Sequence, residues 1–318
     1  MRRVAGLILT LSGLVASSAG PLATAQEPST TFRSGIEAVS VSALVRNQRG
    51  KVVKNLKPTD FVVVDAGVVR QISDFYVGDA AVSLAVLLDI SGSMAIGGNM
   101  DRARAAVNVA LAKLQNGRDE AALYTFDSAL QEVRPFTTQL RRITSVSLEG
   151  TPWGTTSLYD AIAVAARRAA ERRNPHRAVL VITDGVDTAS RMTPPQVSYA
   201  ASTIDVPVYL LVVSNPLNDP EHRLTVVEAS DEHVQRPNTA TLADLSRWTG
   251  GEMALSSEAE DADKALGELM GNLRHKYVIS FEPGDRPGWH PLEIRTRNKN
   301  LIVHARSGYF AGPARTGS

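Results

Sequence analysis

Three short stretches of this sequence carry oxygen-bearing side chains at spacings that can gather around one point. The first is "DISGSM", with Asp89, Ser91 and Ser93 at alternate positions. The second is "GTTSL", with Thr155, Thr156 and Ser157, and the third is "TDGVDT", with Asp184 and Asp187. In an extended loop residues two apart point the same way, so Asp89, Ser91 and Ser93 can face a common point. The set supplies oxygen and neither nitrogen nor sulfur, which suits a hard divalent cation such as Mg²⁺, Mn²⁺ or Ca²⁺. If neutral hydroxyls bind directly and the carboxylates stand further out, the ion's charge is incompletely cancelled. It then seeks an anionic oxygen from outside. Plainer readings stand beside this one. Asp, Ser and Gly favour turns, and Ser157 with Asp160 at N3 resembles a capping box. We expect Thr156 to face the metal and Ser157 to cap the helix that follows.

Competing chemistries lack their parts. The G-x-S-x-G elbow of an esterase is absent around Ser91, and the six histidines are scattered, none of them in H-E-x-x-H. No G-x-x-x-x-G-K-[ST] loop occurs, so a nucleotide site is not expected. With no cysteine there is no disulfide framework, cysteine–zinc site or thiol nucleophile. A formal net charge of +1 over 318 residues makes no electrostatic case for nucleic acid.

The elements that must position these loops are legible. "VSLAVLLD" and "HRAVLVIT" are continuous apolar runs, as expected of parallel strands covered on both faces. Helical spacing recurs between such strands, with Ala103, Ala106, Val107, Ala110, Leu111 and Leu114 on one helix and Leu158, Ile162, Ala165 and Ala169 on another. This alternation predicts an α/β fold with a doubly wound, mostly parallel sheet. In such a sheet ligands bind at the carboxyl ends of the strands, where the three stretches lie. "LQEVRPF" reads as a strand that leaves the pattern as a hairpin, and "PLNDPEHRLTVVEASDEHVQRPN" (216–238) as a polar surface insertion. Strand-rich flanks lie on both sides: "AVSVSALVRN", then two strands around Ala66-Gly67, and after Lys276 "YVISFEP", "HPLEIRTR" and "LIVHARSGYF". We expect these flanks to combine into one small β module.

The first 25 residues read as a cleavable signal peptide: Arg2 and Arg3, the apolar "VAGLILTLSGLVA", then Ala23 and Ala25 before the cut. That run is short and interrupted for a membrane anchor. The expected product is an exported protein, secreted or periplasmic, with no stable membrane insertion. The expected layout is a leader over 1–25, an N-terminal β segment over 35–80, the α/β domain over 82–274 and a C-terminal β segment over 276–312.

The polar stretches resemble a known family. "DISGS" is similar to the D-x-S-x-S signature of the von Willebrand factor type A (VWA) domain, the metal-ion-dependent adhesion site. "GTTSLYDAI" resembles that family's threonine loop, and "VLVITDG" its second aspartate. Ser93 to Thr156 spans 63 residues and Thr156 to Asp184 spans 28, in the family's order. "LADLSRWTGGEMA" resembles the late helix–Gly-Gly–strand segment of bacterial members, and the β flanks fit a bacterial secreted subgroup. The likeness runs from Val82 to Leu273.

The resemblance implies that Ser91, Ser93 and Thr156 offer hydroxyl oxygens. It also implies that Asp89 and Asp184 hold the ion mainly through waters or from further out. Thr155 competes with Thr156, and Asp187 with Asp184. The implied ion is Mg²⁺, with Mn²⁺ or Ca²⁺ as alternatives, and the implied partner is a protein that supplies a carboxylate. The implied function is non-enzymatic binding. A metal-assisted periplasmic hydrolase, or a structural assembly module with an unoccupied site, are the alternatives. Trp153, just before the threonine loop, reads equally as an exposed anchor and as ordinary packing.

Overall fold

The computed structural model describes residues 38–144, 148, 150–213, 242–256 and 259–311. The expected leader and the insertion at 216–238 fall outside the described residues. The chain divides into two units between Gly35 and Ile36, and every described residue belongs to the second.

The first strand, β1 (Val39–Asn47), is followed by β2 (Phe61–Asp65), β3 (Val68–Arg70) and β4 (Ile72–Tyr76). The α/β region then runs through β5 (Val82–Asp89), α1 (Asn99–Ala112), β6 (Glu120–Phe126), β7 (Leu130–Thr137), α2 (Arg141–Thr144) and α3 (Leu158–Ala170). It continues with β8 (His176–Thr183), α4 (Pro194–Thr203), β9 (Val208–Val213), α5 (Leu242–Thr249), β10 (Met253–Ser256) and α6 (Ala259–Arg274). The chain closes with β11 (Tyr277–Phe281), β12 (Gly288–Thr296), β13 (Leu301–Ala305) and β14 (Gly308–Ala311).

The central sheet has the order β10-β9-β8-β5-β6-β7, parallel except for β7, which pairs antiparallel with β6 as the hairpin reading expected. All eight residues of β5 are buried. Their alternation sends Val82, Leu84, Val86 and Leu88 to a core shared with α1 and α6, and Ala85 and Leu87 to one shared with α3, α4 and α5. The two predicted helical faces lie in these cores as expected. α3 turns Leu158, Ala161, Ile162, Ala165, Ala166 and Ala169 inward, and its alanines let it lie close to the sheet.

The flanking strands form two antiparallel sheets, β13-β1-β11-β4 and β14-β12-β2-β3. β1 pairs with both β11 and β13, and β2 pairs with β12, so strands from the two ends of the chain interleave. Both sheets contribute to one core, from Val41 and Val45 through Phe61, Tyr277, Phe281 and Ile294 to Tyr309. The α/β region is thus inserted into a β-sandwich. One expectation needs correction: the segment around Ala66-Gly67 holds three strands, not two. Ala66 and Gly67 both have positive φ (47° and 82°), which suits the tight turn of the β2–β3 hairpin. Beyond Gln71 the chain leaves that sheet, and β4 joins the other.

Candidate metal centre

β5 and β8 lie side by side, with Leu88 opposite Ile182. The chain reaches β6 on one side of β5 and returns to β8 on the other, so the loops beyond these two strands diverge and leave a crevice. Asp89 ends β5, Thr183 ends β8, and Asp184 follows it.

Asp89 is wholly buried. Its Oδ1 accepts the Ser91 N–H at 2.9 Å, and its Oδ2 accepts the Thr183 hydroxyl at 2.6 Å. Burial pushes its carboxyl up to about 6. The hydrogen bonds from Ser91 and Thr183 oppose that rise, and the charge of Asp184 adds to it. The Ser91 and Ser93 hydroxyl oxygens stand 3.2 Å apart. They meet for a different reason than simple alternation, because the chain leaves the extended form after Ser91 and turns through a 3₁₀ segment over Gly92–Gly98. Met94, buried in the core under α1, anchors that turn.

The threonine loop is held onto this turn by its backbone. Trp153 N–H donates to the Ile90 carbonyl at 3.0 Å, and Gly92 N–H donates to the Gly154 carbonyl at 3.1 Å. A Cβ on Gly92 would stand 3.3 Å from the Gly154 oxygen, so glycine permits the close approach. Thr156 is buried and Thr155 is exposed. Thr156 N–H donates to the Thr188 hydroxyl, and its carbonyl accepts from the N–H groups of Thr188 and Ala189, each at 2.9 Å. The three predicted stretches are therefore joined by backbone bonds into one loop cluster.

Ser157 does not cap α3, contrary to expectation. Its hydroxyl donates to the Ser128 carbonyl and its N–H to the Asp127 carbonyl. Asp187 accepts the Leu158 N–H at 2.8 Å, and the Ser190 hydroxyl accepts those of Tyr159 and Asp160. A carboxylate at a helix start also complements the positive end of the helix dipole. Asp160 faces the same loop and accepts from Arg191 and Met192. Thus Asp187 is engaged with a helix, whereas Asp184 lies at the strand end and bonds locally to Val186 N–H.

Sequence reasoning missed Thr183 and Ser190. Thr183 was readable as the polar last residue of an apolar strand. Ser190 gave no local signal, because it caps a helix that begins 32 positions earlier.

The donor set fits a hard cation. The predicted donors are two carboxylates and three hydroxyls, and the charge acting on buried Asp89 is that of Asp184, a second carboxylate. Among the described residues, no three or more His, Cys, Asp or Glu side chains converge as a metal cage. Of the described histidines, His176 begins β8 at the end remote from Thr183, His275 lies between α6 and β11, and His290 and His304 belong to sandwich strands.

Residues 84–186 match the family model of the von Willebrand factor type A domain. No curated protein matches the chain. The structure is similar to the conserved hypothetical protein BatB from Bacteroides thetaiotaomicron, at 20% identity and a TM-score of 0.45, covering 61% of this chain and 98% of that one. It is similar to an aerotolerance-related membrane protein from Bacteroides fragilis, at 20% identity, TM-score 0.46 and coverage of 60% and 99%. A von Willebrand factor type A structure from Catenulispora acidiphila is 12% identical, with TM-score 0.45 and coverage of 88% and 75%.

Proposed function

Given that this chain is a VWA-domain protein, we propose that it is a non-enzymatic binding protein that grips an acidic residue of a protein partner through a divalent cation. Ser91, Ser93 and Thr156 would offer hydroxyl oxygens to the ion. Asp89 and Asp184 would supply the compensating charge from further out, through water. The ion, Mg²⁺ first and Mn²⁺ or Ca²⁺ as alternatives, would give the site a Lewis-acidic point of attachment for an outside carboxylate. One observation carries the reading. A wholly buried carboxylate, Asp89, is held by two hydrogen bonds beside a second carboxylate and a pair of hydroxyls 3.2 Å apart.

The leader-like N-terminus supports export. Among the described residues no helix is long and apolar enough to cross a membrane.

Thermal melts in Mg²⁺ and in chelator test the reading. A cation at about a hundred times its Kd adds about 2.7 kcal/mol, so wild type should melt several degrees higher in Mg²⁺. Asp89→Ala should show no such difference. Equal melting of wild type in the two buffers would sink the proposal.

A further inference from the structure

We propose that the partner presents its carboxylate next to a bulky apolar side chain, received by a collar of Trp153, Ile96 and Val186. This rests on the metal-site reading above. Three loops carry the candidate ligands, and each bears one exposed large hydrophobe. Ile96 lies three residues after Ser93, Trp153 three before Thr156 and Val186 two after Asp184. Their exposures are 59%, 82% and 43%, and Trp153 is the most exposed large hydrophobic side chain among the described residues.

Single exposed hydrophobes are common, but these three belong to loops that are bonded to one another. The bonds from Trp153 to Ile90, from Gly92 to Gly154 and from Thr188 to Thr156 hold the loops together. The indole therefore sits on backbone fixed at its own N–H and at the next residue's carbonyl. An aromatic anchor on a fixed backbone binds at low ordering cost, and such residues dominate interface energetics.

Charge selects the rest of the partner. Arg102 donates to the Gly97 carbonyl and to Asn99, and Arg104, which also faces Asp101 at 3.5 Å, donates to the Gly150 carbonyl, so two guanidinium groups lean on the same loops. They favour an acidic segment over a basic one. A run of acids, however, would press unpaired charge against the indole and leave the collar wet. The occupant that satisfies both features is a segment with one Asp or Glu flanked by Phe, Leu, Ile or Trp.

Panning a displayed random-peptide library on the full-length protein in Mg²⁺, with elution by chelator, tests this. The enriched sequences should carry one acid within two residues of a bulky apolar residue. A consensus peptide should bind Trp153→Ser at least about tenfold more weakly, while that variant keeps the wild-type Mg²⁺ thermal shift. Enriched acids with polar or acidic neighbours, no chelator-eluted enrichment, or unchanged binding by both Trp153→Ser and Ile96→Ser would each overturn the collar. If wild type shows no Mg²⁺ shift, the metal reading itself fails. A normal shift without the apolar preference removes the collar alone.

Discussion

Asp89 carries a proton-dependent cost that its surroundings define. Its folded carboxyl is raised to about 6, above the 3.8 of an exposed aspartate, chiefly by burial. The folded state therefore holds the proton more tightly than the unfolded chain between those values. This contribution to stability is complete below about 3.8 and is lost as pH rises through about 6. Asp89→Asn removes the buried charge that wild type carries above that range, so the metal-free variant should be more stable than wild type above pH 6, by about 3 kcal/mol at most. The gap should close on acidification. Denaturant melts of both proteins in chelator between pH 4 and 8 measure it, and a gap that is flat with pH would contradict the assignment. This residue and its companions were legible because polar side chains ending an apolar strand stand out. Ser157 misled because a local capping pattern lost to Asp187 and Ser190, which only the fold brings to the start of α3.

At the scale of elements, the Gly250-Gly251 pair shows how a local rule was right and incomplete. A helix stop at α5 explains Gly250, whose φ is +79°. It does not explain Gly251, where a Cβ would stand 2.0 Å from the Val208 carbonyl oxygen. That oxygen belongs to β9, and β10 must pass it to pair in parallel register. Gly251→Ala should cost about 3 kcal/mol or more, since backbone cannot yield as a flexible side chain does. Chemical denaturation would show a lowered midpoint, and a near-wild-type midpoint would refute the close-approach account. The missed strand β4 has a similar origin. "VVRQISDFYV" has no Gly, Pro or Asn to mark a break at Gln71, yet the pairing partner changes there, and composition does not record partners.

At the scale of the whole molecule, the inserted α/β region and the sandwich are tied by buried polar groups. Arg306, beside β13, is 3% exposed. It donates to the Ser202 and Thr203 carbonyls at the end of α4 and to the Ser40 carbonyl of β1, with Asp205 3.5 Å away. Lys276, fully buried, donates to the Gly250 carbonyl beyond α5 at 2.6 Å, and burial lowers it to about 8. Two cations from the C-terminal part of the chain thus satisfy carbonyls at the end of α4 and just past α5. Arg306→Met would strand those carbonyls and take the cation from beside Asp205, whose remaining bonds come from Ser42, at a cost of about 3–5 kcal/mol. Wild type should unfold in one transition, with tryptophan fluorescence and far-ultraviolet circular dichroism coinciding. Two separated transitions would show that the sandwich and the insertion are independent. Strand-rich flanks were visible in the sequence, but not that β1 sits between β11 and β13, because pairing across more than two hundred residues leaves no local trace.

If five residues from three loops hold one cation, titration calorimetry of Mn²⁺ into the protein should find one site per chain in wild type, and no measurable heat in Ser91→Ala or Asp184→Ala variants that still melt cooperatively. Absence of binding by wild type, or undiminished one-to-one binding by both folded variants, would contradict it.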